Sequence, residues 1–353
     1  MSKFFSKKYS ELKPYTPGEQ PQDMKYVKLN TNESPFSPSP KVLSAVEREV
    51  QNLKLYSDPE CKMLRQKLAD ILSVPPSYVI LSNGSDEILN FAFMAFSDES
   101  KPMIFPDITY GFYAVFAKLN SIPYEQVPLL EDFTIDVSDY VGKSKNIVIA
   151  NPNAPTGISI ELDEIEKIVK SNPENIVIID EAYVDFGAES AIPLTKKYNN
   201  LIVVGTFSKS RSMAGARLGF AVANPELIRD LDTIRYSTNP YNVNRMTLAA
   251  GIATLEDNDY YMDNCLKIIE TREYTKRKLL ELGFSVLESK TNFLFIKSDK
   301  ISGEKLYLKL KENGVLVRHF GMERIKNYNR VTIGTKEEMD AFLSKTESII
   351  REM

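Results

Sequence analysis

A lysine surrounded by hydroxyl groups, glycines and a second cation is the first feature of this sequence that could do chemistry. Lys209 lies in the stretch GTFSKSRSMAGARLGF, residues 205–220, directly after the apolar run Leu201 to Val204. An amine attacks a carbonyl only after it loses its proton, and a nearby cation such as Arg217 favours that loss. Ser208 and the Arg217 guanidinium have the chemistry to hold a phosphate. The alternative for one lysine taken alone is a solvated basic loop.

Two further polar positions follow apolar runs that are predicted to be strands. Asp180 comes directly after Asn175 to Ile179. Its carboxylate could act in catalysis, although an aspartate at such a place is more often a helix cap or a turn former. Gly84 and Ser85 follow the predicted strand Tyr78 to Leu81 and precede a largely buried helix. A helix N-terminus binds anions because its free N–H groups and its dipole point at the ligand, and an ordinary turn is the alternative.

A sheet must bring these positions together. Apolar runs that alternate with helical periodicity predict strands at Tyr78 to Leu81, Met103 to Phe105, Asn146 to Ala150, Asn175 to Ile179 and Leu201 to Val204. Polar residues follow each run, which predicts an α/β fold with a mostly parallel sheet and a site at the carboxyl edge. Right-handed crossovers then bring the loops to one crevice.

The chain is expected to divide into three parts. Residues 1–40 contain a dense set of prolines and are predicted to form an extended arm. Residues 41–255 form the large domain, and residues 256–353 form a smaller α+β domain against which the arm packs. Strands of the smaller domain are predicted at Phe284 to Leu287, Phe293 to Lys297, Val315 to His319 and Arg330 to Ile333.

Composition excludes several classes of function. The formal charge of −4 over 353 residues offers no electrostatic reason to bind nucleic acid. No apolar run is long enough to span a membrane, and no secretory signal is predicted. Two cysteines indicate a reducing compartment, so we expect a cytoplasmic protein. A single histidine, His319, excludes a histidine metal cluster.

The lysine stretch resembles that of the fold-type I pyridoxal phosphate aminotransferases, whose pattern is roughly S-K-x-x-x-x-A-G-x-R-x-G-[FY]. The resemblance extends from Tyr15 to Thr335 through PYTPG, LNTNESPFSPSP, LYSDPE, NGSDE, YGFY, NAPTG, DEAYVDF and RVTIGT. The second, third and last of these segments are similar to the histidinol-phosphate aminotransferase branch. The family fold has a mostly parallel central sheet in a large domain and a smaller α+β domain.

The resemblance implies roles for individual residues. Lys209 forms the imine with the cofactor and then acts as the base, and Asp180 pairs with the protonated ring nitrogen. The other residues that the family uses to bind pyridoxal 5′-phosphate match Gly84, Ser85, Asp86, Tyr110, Tyr183, Thr206, Ser208 and Arg217. The family's asparagine before Pro155 is Ala154 here. Either Asn153, which we carry as the cofactor-binding candidate, takes its place through a shifted backbone, or this hydrogen bond to the cofactor is missing.

Further matches concern the substrate and a second subunit. Arg330 corresponds to the arginine that binds the amino acid carboxylate, and Arg318 with Tyr15 is expected to bind a substrate phosphate. Tyr56 in LYSDPE matches a tyrosine that reaches the partner's cofactor phosphate, which implies a homodimer with shared sites. His319 is predicted to be structural.

The implied activity is a ping-pong transamination between L-histidinol phosphate and 2-oxoglutarate in histidine biosynthesis. The same scaffold serves two alternatives: an aromatic amino acid aminotransferase, and a lyase that decarboxylates threonine phosphate.

Overall fold

In the computed structural model of the protein, residues 2–352 are described, so the terminal Met1 and Met353 lie outside the described residues. The strands, in chain order, are β1 Val27–Lys28, β2 Val79–Ser82, β3 Met103–Pro106, β4 Tyr124–Val127, β5 Asn146–Ala150, β6 Val177–Asp180, β7 Leu201–Thr206, β8 Gly219–Ala223, β9 Phe284–Val286, β10 Phe293–Ser298, β11 Val315–Leu316, β12 Arg318–His319 and β13 Tyr328–Thr332. The α-helices are α1 Pro40–Glu49, α2 Lys62–Ile71, α3 Ser85–Phe96, α4 Phe112–Leu119, α5 Leu162–Ser171, α6 Pro225–Thr238, α7 Arg245–Glu256, α8 Asn258–Glu281, α9 Gly303–Glu312 and α10 Lys336–Arg351.

Seven strands form the main sheet in the order β2-β8-β7-β6-β5-β3-β4. All neighbours are parallel except β8, which runs antiparallel to both β2 and β7. The inner strands are apolar on both faces because helices cover both sides, which is the usual state of a parallel sheet. The predicted α/β fold with a mostly parallel sheet is confirmed.

Alternate residues of each inner strand enter two different cores. Ile147 and Ile149 of β5 pack with helices α1, α2, α5 and α7 on one face. Val148 and Ala150 pack with α3, α4 and α6 on the other. This alternation follows from the two-residue period of a strand.

A second, antiparallel sheet has the order β12-β13-β10-β9 and packs with α8, α9 and α10. Helix α8 joins the two parts of the molecule, since Tyr261 near its start belongs to the core of the large sheet and Ile268 belongs to the core of the small one. The N-terminal segment also joins the small sheet region, because β1 pairs in parallel with β11. The Leu29 amide donates to the Leu316 carbonyl at 2.8 Å.

The prediction of elements was incomplete in five places. Strands β1, β4 and β8 and helix α5 were not predicted, and the strand predicted at Val315 to His319 is divided. Its first part, β11, pairs with β1, whereas its second part, β12, pairs with β13. A single apolar run therefore contributes strands to two different sheets. The hydrophobic periodicity within the run cannot predict this, because it does not identify the pairing partners.

No helix in residues 2–352 is long and apolar enough to cross a membrane.

Candidate active site

Lys209 lies just after β7, at the carboxyl edge of the main sheet, and its side chain is partly buried. Its Nζ donates to the Thr31 carbonyl at 3.3 Å and lies 5.8 Å from the centre of the Tyr183 ring. Burial lowers the pKa of Lys209 to about 8, and the positive charge of Arg330 acts in the same direction. A large fraction of the amine is therefore neutral and nucleophilic near pH 8.

The structure brings most of the predicted cofactor residues around one cavity of about 350 Å³. The predicted residues that line it are Ser85, Asp86, Tyr110, Asp180, Tyr183, Thr206, Ser208, Lys209 and Arg217. They lie at or after the carboxyl ends of β2, β3, β6 and β7, so the cavity lies at the carboxyl edge of the main sheet.

Asp180 ends β6 and is only 5% exposed. The Tyr113 hydroxyl donates to its Oδ2 at 2.8 Å, and the Ala182 amide donates to its Oδ1 at 3.3 Å. Burial raises the pKa of Asp180 to about 6, while the hydrogen bond from Tyr113 opposes that rise. The carboxylate is thus charged at neutral pH and is available to pair with a cation inside the cavity.

One end of the cavity is suited to an anion. Ser85 is the first residue of α3. Gly84, which precedes it, has a φ of +82°, a backbone conformation that residues with a side chain rarely adopt. A Cβ on Gly219 would lie 2.3 Å from the Ser85 nitrogen, so only glycine permits this close approach of β8. The Arg217 guanidinium lies at the same end and contacts Asp86 at 3.1 Å.

Hydroxyl groups complete this end of the cavity. Thr206 and Ser208 are both buried, and the Ser208 amide donates to the Thr206 hydroxyl at 3.1 Å. The Tyr110 hydroxyl donates to Asp86 at 2.7 Å, which fixes the Tyr110 ring at the cavity wall. A helix N-terminus, a guanidinium and two hydroxyls at one place are suited to bind a phosphate.

Tyr183 carries its hydroxyl into the cavity from the turn after β6. The hydroxyl accepts a hydrogen bond from the Asn32 amide at 2.9 Å. Asn32 is itself fixed, since its Oδ1 accepts from the Thr332 hydroxyl at 3.0 Å. Asn32 in the N-terminal arm therefore fixes Tyr183 beside the main sheet, although the two residues are far apart in the chain.

Asn153 is placed differently from the prediction. Its two amide N–H groups donate to the Ile108 carbonyl at 2.9 Å and to the Thr156 hydroxyl at 3.0 Å. Its oxygen accepts from the Thr109 hydroxyl at 2.8 Å. Ala154 lines the cavity instead. Asn153 therefore stabilises its own loop and has no N–H left for a bound cofactor.

A second cavity of about 530 Å³ adjoins the first, and Tyr110, Tyr183 and Lys209 line both. The predicted substrate residues Tyr15, Arg318 and Arg330 line this second cavity, as does His319. The cavity gives access to Lys209 from the side of the small sheet.

The three predicted substrate residues also have structural contacts. The Arg318 guanidinium donates to the Thr16 and Pro17 carbonyls at 3.0 and 3.1 Å, which ties the arm to β12. Arg330 donates to the Asn30 carbonyl at 3.1 Å. The Tyr15 ring stacks on Phe112 with 4.3 Å between ring centres.

Tyr56 does not line either cavity. Its side chain is 78% exposed and stacks on Tyr241 with 4.4 Å between ring centres. Within residues 2–352, no group of three histidine, cysteine or acidic side chains is arranged to hold a metal ion.

Residues 24–345 match the protein family described as aminotransferase class I and II. The chain belongs to this family. A relative from Brachyspira hyodysenteriae, named histidinol-phosphate aminotransferase, is 53% identical over 353 residues, which cover 99% of this chain and 100% of the relative. A relative of the same name from Clostridium acetobutylicum is 46% identical over 351 residues, with 99% and 100% of the two chains covered.

Solved structures of aminotransferases share the fold. The crystal structure of histidinol-phosphate aminotransferase from Sinorhizobium meliloti in complex with pyridoxal-5′-phosphate has a TM-score of 0.85 and 27% identity to this chain. The match covers 92% of this chain and 91% of that one.

Four residues of this aminotransferase site were missed in the sequence. Thr31 and Glu33 line the first cavity, Asn32 holds Tyr183, and Tyr113 holds Asp180. The polar run from Asn30 to Ser34 among prolines was a usable signal for the first three. Tyr113 had no such signal, because an aromatic residue within a helix usually belongs to the core.

Proposed function

We propose that this aminotransferase transfers the amino group between L-histidinol phosphate and 2-oxoglutarate, with pyridoxal phosphate as cofactor. The observation that carries the proposal is the position of Lys209, whose amine has a lowered pKa and lies in one cavity with Asp180 and the anion-binding residues Ser85 and Arg217. The names of two full-length relatives support the choice of substrate.

The residues around the cavity fit pyridoxal phosphate at both of its ends. Arg217, Ser208 and the N-terminus of α3 at Ser85 suit the phosphate. Asp180, a buried carboxylate, suits the protonated ring nitrogen, and the Tyr183 hydroxyl suits the ring oxygen. When bound, the cofactor would supply an aldehyde that reacts with amines and a ring that withdraws electrons.

The chain's own residues then move and hold protons. With the cofactor bound, the free Lys209 amine would take and return the proton at the substrate carbon. Asp180 keeps the proton on the ring nitrogen because a charged carboxylate in a buried place stabilises a neighbouring cation. Tyr110 lies at the cavity wall, where its ring is suited to stack on the cofactor.

The adjoining cavity suits a substrate with an anionic group. Arg330 lies in its wall with one N–H group used by the Asn30 carbonyl, so other donors remain for a carboxylate or phosphate. Arg318 and Tyr15 lie in the same wall. We propose that Arg330 binds the carboxylate of glutamate, and that Arg318 and Tyr15 help to bind the substrate phosphate.

We further propose a homodimer in which Tyr56 reaches the partner's cofactor phosphate. Support comes from other large apolar side chains that are exposed in the same part of the chain, Leu53, Leu55 and Met63. The arm of residues 1–40, the large domain of residues 41–255 and the small domain of residues 256–353 are proposed as the units of each subunit. A cytoplasmic location and the absence of nucleic acid partners stay predictions.

The substrate is tested with purified protein loaded with pyridoxal phosphate. Histidinol phosphate and 2-oxoglutarate should give glutamate, and histidinol should react far more slowly. Losing a desolvated arginine–phosphate contact typically costs about 2–5 kcal/mol, which is roughly 30- to 5000-fold in rate. Carbon dioxide released from threonine phosphate, without amino transfer from histidinol phosphate, would replace the proposal with the lyase. Equal rates with phenylalanine and histidinol phosphate would indicate an aromatic aminotransferase.

A further inference from the structure

Tyr113 lies in α4, outside the residues that line the cavity, yet it contacts the buried end of the site directly. Its side chain is fully buried, and its hydroxyl donates to Asp180 Oδ2 at 2.8 Å. The Tyr113 backbone amide also donates to the Tyr110 carbonyl at 3.2 Å, so the two tyrosines are held in one turn of chain. The same turn therefore places Tyr110 in the wall of the cavity and Tyr113 against the Asp180 carboxylate.

Packing fixes the Tyr113 ring in place. The Phe105 ring meets it edge to face at 5.8 Å and 66°, and the Tyr110 ring meets it at 5.7 Å and 83°. Such arrangements are favourable for aromatic pairs and restrict the ring. Since burial raises the pKa of Tyr113 well above its ordinary value, the phenol keeps its proton and remains a hydrogen-bond donor.

A phenol that donates to a carboxylate has two effects on it. It fixes the plane of the carboxylate, and it stabilises the charged form, so the carboxylate becomes a weaker base. In Asp180, the orientation and the basicity of the carboxylate both affect its pairing with a protonated ring nitrogen in the cavity. A weaker carboxylate base leaves the shared proton on the nitrogen, whereas a stronger one draws the proton to itself.

We propose that Tyr113 is a positioning residue, which orients the Asp180 carboxylate and keeps it weakly basic, so that the proton stays on the cofactor ring nitrogen. This inference rests on the proposed function, because it requires pyridoxal phosphate in the cavity. Tyr113 acts only through Asp180 and does not touch substrate.

The test compares Tyr113→Phe with wild-type enzyme, both loaded with pyridoxal phosphate labelled with ¹⁵N in the ring. The ring nitrogen resonance should move toward the unprotonated position in the variant, and kcat should fall by roughly 10- to 100-fold, the value of a hydrogen bond to a charged group. KM for histidinol phosphate should change little. Tyr140→Phe is the matched control, since Tyr140 is a buried tyrosine whose hydroxyl has no hydrogen-bond partner among the described residues.

A double-mutant cycle separates action through Asp180 from a general effect on packing. In an Asp180→Asn background, adding Tyr113→Phe should change the dissociation constant of the cofactor by less than about twofold, the usual limit of additivity error. An unchanged ¹⁵N resonance in Tyr113→Phe, or an equal loss of affinity in both backgrounds, would overturn the inference. If wild-type protein fails to bind pyridoxal phosphate, the proposed function itself fails, which is a different outcome.

Discussion

The pKa of Lys209 depends on burial and on the charge of Arg330, and this makes the reaction of the apoprotein with pyridoxal phosphate dependent on pH. Only the neutral amine attacks, so the association rate should rise as pH increases toward about 8 and should fall about tenfold per unit below that value. Arg330→Met removes a positive charge near the amine, which raises the pKa of Lys209 and moves the midpoint to higher pH. Stopped-flow absorbance of the cofactor band measures both curves.

A control for this prediction is Arg229→Met, which removes an equal charge from an exposed position on α6. Arg229→Met should leave the midpoint of the pH dependence unchanged. Because the cofactor titrates in the same way in both variants, a shift seen only in Arg330→Met belongs to Lys209. A midpoint that is the same in wild type and in Arg330→Met would mean that Arg330 does not influence the amine.

Single residues differed in how far their positions could be predicted. Lys209 and Asp180 each follow a clear strand, so the geometry of a parallel sheet was enough to expect them at one cavity. Asn32 belongs to the N-terminal arm and contacts Tyr183, which lies far from it in the sequence. No local sequence pattern predicts such a contact. For Asn153, the family pattern could not decide the position, because hydrogen bonds within its own loop fix where the amide points.

At the level of elements, the anion-binding end depends on the contact between β8 and the start of α3. In Gly219→Ala the new Cβ would lie 2.3 Å from the Ser85 nitrogen and 2.4 Å from the Gly84 carbonyl carbon, which are both backbone atoms, and Gly219 is held in the sheet by its pairing with Ser82. We expect a loss of ~1–3 kcal/mol in the free energy of unfolding, as for overpacked cores, together with weaker binding of pyridoxal phosphate. Denaturant unfolding and fluorescence titration measure the two effects.

Gly321→Ala is the matched control for this substitution, because a Cβ there meets nothing within 4 Å. It should unfold at the same denaturant concentration as wild type. If Gly219→Ala is equally harmless, then β8 and α3 are farther apart than the structure places them.

The elements that escaped prediction share a physical cause. Strand β8 begins within the lysine stretch, at Gly219, and its pairing with β2 joins segments that lie far apart in the chain. The division between β11 and β12 likewise depends on partners from two different regions. Propensity describes single segments, whereas pairing is decided by the whole fold.

At the level of the whole molecule, the proposed role of Tyr56 predicts complementation between two inactive proteins. Lys209→Ala removes the amine, and Tyr56→Phe removes a hydroxyl that is exposed on its own subunit. In a mixed dimer, one of the two sites contains neither lesion, so mixing the variants should restore some transaminase activity. Size-exclusion chromatography with differently tagged chains verifies that subunits have exchanged.

A matched control is Tyr236→Phe, which alters another exposed tyrosine and should keep full activity by itself. An inactive mixture, despite proven exchange, would show that Tyr56 serves its own subunit or has no part in the site.

The antiparallel strand β8 also has a consequence for how the protein is made. Among the described residues strand β2 pairs with β8 alone, and β8 is the last strand of the main sheet in the chain. While the ribosome adds about 5–20 residues per second, β2 must wait on the order of ten seconds for its partner to emerge. During that time the nascent chain presents an unpaired apolar edge, the kind of surface that chaperones bind.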